Sequence, residues 1–299
     1  MSVFNNLIVS CIPLVPKFMV RKFAAPYIAG ESIEDAVATV KKINASGAVA
    51  TIDLLGEFIT EKSQATHDTA ELKRLLKAIN DHGLKSNVSI KPTQFGLLLD
   101  GEFAYENIRD LVSTAKEYGN FIRIDMEDSP CTQMEIDMYL RLRKEFDNVG
   151  LVIQAYLYRT DADVNLLISN KANLRICKGI YVEPENIAIK DKQEIRNNFL
   201  KQVEKMFAAK CYVGVATHDE YLVNEVYKLI EKHKVQPSDF EFQMLLGVLP
   251  KLRKSIIDKG YKLRIYVPYG KQWYGYSVRR FKENPQVAGY VAKAIFGLD

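Results

Sequence analysis

The sequence predicts a (β/α)8 barrel, a ring of eight parallel strands wrapped by helices, and three observations predict it. From about residue 48 onward, short β-rich runs alternate with longer stretches of helical periodicity. Alternation of this kind implies parallel strand pairing through right-handed crossovers. The β-rich runs number eight over about 250 residues, the usual count and size of this fold. The rival, an open doubly wound sheet, normally carries a glycine-rich turn after its first strand. Here Ile52-Asp53-Leu54-Leu55 leads only to Gly56-Glu57, and neither GxGxxG nor GxxxxGK[ST] occurs anywhere.

The elements follow in order. Residues 1–47 read as an N-terminal helical extension and 48–299 as the barrel. Within the extension, Leu7 to Val15 is largely apolar but interrupted by Pro13. Its charges, Lys17, Arg21 and Lys22, follow it; a secretory signal has the opposite order, so the segment reads as mature protein. Ser32–Ile43 is a helix with Ser32 as N-cap. The expected strands are Ala48–Leu54, Ser86–Lys91, Phe121–Glu127, Val149–Tyr156, Asn173–Gly179, Cys211–Thr217, Phe240–Leu246 and Tyr261–Pro268. Between them lie helices at Gln64–Asp81, Gly101–Tyr118, Gln133–Phe146, Ala162–Asn170, Asp191–Ala209, Glu220–Lys232 and Val248–Lys259. A final helix, Gln272–Lys282, is expected across the barrel mouth.

Composition narrows the function classes. The 41 basic and 37 acidic residues leave a net charge of +4, too mild to single out a nucleic-acid protein. No apolar run approaches the about 18 residues of a membrane span. The four cysteines form no CxxC pair, which fits free thiols in a reducing compartment. The histidines also number four, of which His67, His82 and His233 fall in or beside helices. His218 alone does not make a metal site, so no metal is expected.

Active sites of such barrels lie at the carboxyl ends of the strands. Lys91 ends the second strand; Arg123, Asp125 and Glu127 share one face of the third; Gln154 ends the fourth, with Arg159 beyond it. Arg175 and Lys178 flank Cys177 on the fifth, Thr217-His218-Asp219 ends the sixth, Glu241 and Gln243 lie on the seventh and Tyr266 on the eighth. Any one of these alone reads as a solvated rim residue. Together they outline a polar pocket of mixed sign, with Lys91 and Asp125 as an ion pair. Arg279-Arg280 in the last helix would otherwise line a solvated face; across the mouth, the two guanidiniums could clamp one carboxylate. Cys177 beside Arg175 and Lys178 could have a lowered pKa, but it lacks a base partner and reads as a small buried thiol.

Several blocks carry a family resemblance. Ile153-Gln154-Ala155-Tyr156-Leu157-Tyr158-Arg159, Leu174-Arg175-Ile176-Cys177-Lys178-Gly179-Ile180-Tyr181, Ala216-Thr217-His218-Asp219, Phe240-Glu241-Phe242-Gln243-Met244-Leu245 and the run from Leu263 to Glu283 resemble, in order and spacing, the signature of proline dehydrogenases. The likeness extends from about Pro26-Tyr27-Ile28-Ala29-Gly30 to near the C-terminus. It implies a distorted (β/α)8 barrel that binds FAD. It also implies oxidation of L-proline to 1-pyrroline-5-carboxylate, the first step of proline catabolism, with electrons passed to a membrane quinone.

By motif match, the resemblance implies that Arg279, Arg280 and Lys91 bind the proline carboxylate. Asp125 would balance Lys91, Tyr266 would pack on the proline ring, Tyr181 would close the pocket and Arg175 would sit near the flavin N5. Gln154, Lys178, Thr217, His218, Gln243 and Glu283 would contact the flavin or its ribityl, phosphate and adenosine parts. Three positions depart from the family: Cys177 stands in place of the usual valine, Ile176 in place of leucine and Ile180 in place of alanine, the last adding bulk beside Tyr181. Tyr266 favours proline over hydroxyproline. The chain lacks an aldehyde dehydrogenase module and so reads as a monofunctional, bacterial-type cytoplasmic enzyme. Peripheral contact with the inner face of the membrane and product transfer to a separate pyrroline-5-carboxylate dehydrogenase are both compatible with that reading. The alternatives are a dehydrogenase of hydroxyproline or another cyclic imino acid, and a Schiff-base lyase using Lys91 or Lys178.

Overall fold

The computed structural model describes residues 17–283; the side chains at 17–19, 23 and 279–283 are outside the described set. Helices α1 (Lys17–Ala24) and α2 (Ile33–Ala45) precede the first strand. Ser32 caps α2 by accepting the Asp35 amide, and Asp35 accepts the Ser32 amide in return. There follow β1 (Val49–Leu54), α3 (Lys62–Asp81), β2 (Ser86–Ile90), α4 (Gly101–Glu117), β3 (Ile122–Ile124), α5 (Ser129–Leu142), β4 (Val149–Gln154) and α6 (Thr160–Ser169). The chain continues through β5 (Leu174–Cys177), α7 (Lys192–Ala208), β6 (Val213–Ala216), α8 (Glu220–His233), β7 (Phe240–Leu245), α9 (Pro250–Asp258), β8 (Leu263–Tyr269) and α10 (Trp273–Glu283). The eight strands close into one barrel in sequence order, β8 pairing with β1, and every pairing is parallel. The expected segment at Leu7 to Val15 lies outside the described residues.

Alternation along each strand sorts the side chains. Ile52, Val88, Ile124, Leu151, Ile176, Val215, Phe242 and Ile265 belong to the core between strands and helices and are almost wholly buried. The other face points into the barrel, where branched aliphatics usually dominate. Here it is polar instead. Arg175 on β5 reaches Asp125 beyond β3, and Tyr266 on β8 reaches the same carboxylate. Contacts between strands so far apart in the ring are possible only through its interior.

Two glycines make room for these large polar groups. A Cβ at Gly150 would stand against the Arg123 guanidinium, and one at Gly214 against the Gln243 amide. A second, smaller core joins α1 to α10 through Val20, Ala24, Tyr27, Leu55, Trp273 and Tyr276. Trp273 Nε1 also donates to Glu31 at 3.1 Å.

Candidate functional site

Six side chains from five strands or strand ends converge inside the carboxyl end of the barrel. Lys91 Nζ, one residue beyond β2, contacts Asp53 Oδ1 at 2.9 Å and Oδ2 at 3.0 Å. It also lies 3.4 Å from the Tyr266 hydroxyl, which donates to Asp125 Oδ2 at 2.9 Å. The other Asp125 oxygen accepts from Ser89 Oγ and Arg175 Nη2, both at 2.5 Å. The Arg175 guanidinium also lies 5.5 Å from the centre of the Tyr266 ring. The expected direct pair of Lys91 with Asp125 is therefore corrected. Register sets Asp53 opposite Ser89, next to Lys91 across β1 and β2, so Asp53 is the partner within reach. Asp125 balances Arg175 instead, and Tyr266 joins the two pairs.

The cations in this network are firmly held, whereas burial pushes the Asp53 carboxyl above the usual carboxylate range against the pull of Lys91. Burial works against the Lys91 charge, but the Asp53 and Asp125 carboxylates outweigh it and its pKa is raised. A Schiff-base amine needs the opposite shift, so this direction lends the lyase alternative no support. For Arg175, burial is again opposed by Asp125, with a net rise. Tyr266 is pushed well above the usual tyrosine range, first by burial and then by the neighbouring carboxylates, so its hydroxyl stays a donor.

The network opens onto a cavity of about 360 Å³ lined by Lys91, Gly56, Glu57, Lys271, Tyr274 and Tyr276, among others. The start of α10 thus lies over the mouth, as expected. Arg279, Arg280 and Glu283 fall on this helix, and their side chains lie outside the described residues.

At the ends of β5 and β6, Lys178 Nζ meets Asp219 Oδ2 at 3.2 Å, and Arg196 from α7 grips both Asp219 oxygens at 2.8 and 3.1 Å. Against the effect of its burial, these two cations hold Asp219 below the usual carboxylate range. Thr217 Oγ1 accepts the Asp219 amide at 3.1 Å. His218 Nε2 accepts the Leu245 amide at 2.9 Å, which occupies that nitrogen.

Gln154 braces the mouth from both ends of its amide, donating to Glu127 O at 2.8 Å and accepting from Ile180 N at 3.2 Å. Tyr181 is half-buried in the loop after β5. Glu183 pins that loop by accepting from Ser129 N and Oγ at 2.7 and 2.6 Å. Ile180 is exposed, whereas Gly179 has φ 120° and abuts the Tyr156 ring, where no Cβ would fit.

Two sequence expectations need correction, the end of the third strand and the place of Arg123 and Glu241. The strand β3 ends at Ile124, so Asp125 and Glu127 lie past it. Glu127 turns to Thr93, accepting from its amide at 2.9 Å and its hydroxyl at 2.5 Å. Arg123 and Glu241 are not at the mouth but at the amino end of the barrel: Arg123 donates to Asn173, and Glu241 is gripped by Arg264. Gln243 lies inside the barrel with its amide donating to Glu241 at 2.8 Å. Cys177 is a free thiol, in line with its reading as an unreactive one: burial outweighs Arg175 and pushes it up to about 11.

The residues that sequence reasoning missed are Asp53, Ser89 and Arg196. Asp53 had a legible signal: it is the one charge in the apolar run Val49–Leu54. Ser89 and Arg196 had none, since each gains its role only from a partner distant in sequence.

Comparison with known proteins identifies the family. The family model described as proline dehydrogenase matches residues 36–293. Proline dehydrogenase 1 of Bacillus subtilis subsp. natto is 39% identical over 275 residues, covering 92% of this chain and 91% of that one. Proline dehydrogenase of Deinococcus radiodurans is 37% identical over 277 residues, covering 91% and 89%. Among solved structures, proline utilization A from Bdellovibrio bacteriovorus aligns with a TM-score of 0.85 and 23% identity, covering 93% of this chain and 36% of that one. A likeness at that identity speaks for the barrel fold, while the Bacillus and Deinococcus relatives speak for the family. With the family model, these relatives show that this chain belongs to the proline dehydrogenase family of oxidoreductase enzymes.

Proposed function

We propose that this protein oxidises L-proline to 1-pyrroline-5-carboxylate with FAD as its resident cofactor and passes the electrons to a quinone. The observation that carries the reading is the buried network Asp53–Lys91–Tyr266–Asp125–Arg175, which opens on the mouth cavity in a chain of this family. The donor set at the mouth suits a flavin dinucleotide. Arg175 and Lys178 supply cations, Thr217 and His218 supply polar edges, and the Gly179 turn allows close approach of the backbone. Gln154, Glu283 and Gln243, the last through the amide oxygen that its bond to Glu241 leaves over, complete the proposed set. When bound, FAD supplies the two-electron acceptor for the hydride on the proline carbon next to nitrogen.

The chain's own residues bind and orient. Lys91, held by Asp53 and so fixed in charge and direction, offers an ammonium to the substrate carboxylate. Arg279 and Arg280 on α10 are proposed to complete that clamp, and Tyr266 to bound the ring. A small zwitterion fixed by its one full negative charge has its reacting carbon placed by default. Arg175 places a buried positive charge at the barrel end where negative charge would develop on reduction. Tyr181 is proposed to close the pocket from the β5 side. Among the described residues no helix is long and apolar enough to cross a membrane; peripheral contact with a membrane that holds the quinone is part of the proposal. Hand-off of the product to a separate dehydrogenase is part of the same proposal.

The test is a spectrum of the purified protein before and after anaerobic addition of L-proline. Flavin absorption that bleaches on addition is the expected outcome. A colourless protein, or a yellow one that excess proline leaves unbleached, would overturn the reading.

A further inference from the structure

The barrel has a second concavity at its opposite, amino end, with a volume of about 510 Å³. Its walls include Arg123, Asn173, Tyr212, Glu241, Lys262 and Arg264. Three of these carry positive charge and one negative. Glu241 is already saturated: Arg264 binds it through Nε and Nη2 at 2.5 and 3.0 Å, and Lys262 reaches it at 2.9 Å. That leaves Arg123. It is 3% exposed, and among the described residues no carboxylate lies within ion-pair distance of it. Its donors go to neutral acceptors, Leu151 O at 3.2 Å, Asn173 O at 2.7 Å and Asn173 Oδ1 at 2.5 Å.

A buried guanidinium without an ion-pair partner is costly; Arg175 above it adds like-charge repulsion, which the more distant charge of Glu241 only partly offsets. The strand nevertheless accommodates it, since Gly150 is the residue whose missing side chain gives the guanidinium its place. A group kept at such cost, at the wall of a cavity with excess positive charge, is suited to hold an anion.

We propose that the amino-end cavity binds a small oxyanion, a carboxylate or phosphate, with Arg123 as its principal partner and Lys262 at the rim. The site is separate from the mouth and does not depend on the reaction proposed there.

The holoenzyme is titrated with inorganic phosphate and, separately, with succinate, at constant ionic strength, while its melting temperature is followed. A saturable rise of a few degrees with either probe is expected, as for a ligand that binds only the native state. The more effective probe tells phosphate from carboxylate chemistry. Lys262→Ala should weaken the apparent affinity about tenfold and leave flavin reduction by proline unchanged; Arg123→Met should abolish the rise. Lys262 is partly exposed, so the Lys262→Ala arm decides the matter even if Arg123→Met fails to fold. The proposal is overturned by no rise, by a rise of equal affinity in Lys262→Ala, or by one that saturating proline removes, which would place the anion at the mouth.

Discussion

Lys91 rests on both carboxylate oxygens of Asp53, at 2.9 and 3.0 Å, and the Asp53 side chain is only 1% exposed. The carboxylate that holds the cation is thus deeper in the barrel than the cation itself. Lys91 keeps its charge and faces the mouth.

Replacing Asp53 with Asn leaves a buried ammonium without its counter-charge. Removing one partner of such a pair costs about 3–5 kcal/mol. The expected outcome is a melting temperature lower by roughly 10 °C and a proline KM raised at least about tenfold, equivalent to about 1.4 kcal/mol. Calorimetry and steady-state kinetics check both. An unchanged KM would remove Asp53 from the positioning of Lys91.

Asp125 and Arg175 form the other buried pair, so their variants should be non-additive. Asp125→Ala alone strands the guanidinium, whereas Asp125→Ala with Arg175→Met removes both charges. Contacting residues of this type couple by about 0.5–3 kcal/mol. The double variant should melt higher than the sum of the two single losses predicts. Strict additivity in denaturant titrations would contradict the pairing.

The Tyr266 hydroxyl links the two pairs. Tyr266→Phe removes its bond to Asp125 and leaves that oxygen short of a partner, a loss of about 1–3 kcal/mol. The expected effect is a fall in kcat/KM of roughly tenfold with bound flavin retained. Tyr266→Ser removes the ring as well, and should relax discrimination against 4-hydroxyproline. An unaltered ratio of the two substrates would exclude Tyr266 from selectivity.

Glu127 carries a pH dependence. Burial pushes its carboxyl from 4.5 up to about 7, against the pull of its Thr93 hydrogen bonds. A folded-state pKa above the unfolded one means that its contribution to stability is full below pH 4.5 and is lost as pH rises through about 7. The shift corresponds to at most about 3 kcal/mol. Melting temperature should therefore fall across that window, and Glu127→Gln should flatten the fall. Parallel profiles for the two proteins would count against it.

How much of this was legible beforehand differs from element to element. All eight strands and the helices between them were readable, since apolar periodicity records which face of an element is covered. The ends were less so. The third strand was expected to run to Glu127 and stops at Ile124, because the Glu127 backbone amide is taken by the Glu135 carboxylate and its carbonyl by the Gln154 amide rather than by neighbouring strands. Lys91, Asp125, Arg175 and Tyr266 were readable as polar residues that an aliphatic barrel interior does not want, and they do converge.

The sequence by itself determined the strand count, the alternation, the inward polar set and, through its motifs, the family. It did not determine who pairs with whom. Alternation tells inward from outward but says nothing of height along the barrel axis, because neighbouring strands in a closed barrel are staggered and tilted. Tertiary structure therefore decided that Lys91 meets Asp53 and that Asp125 meets Arg175. It also decided that Arg123 and Glu241, chemically indistinguishable in the sequence from mouth residues, belong to the opposite end.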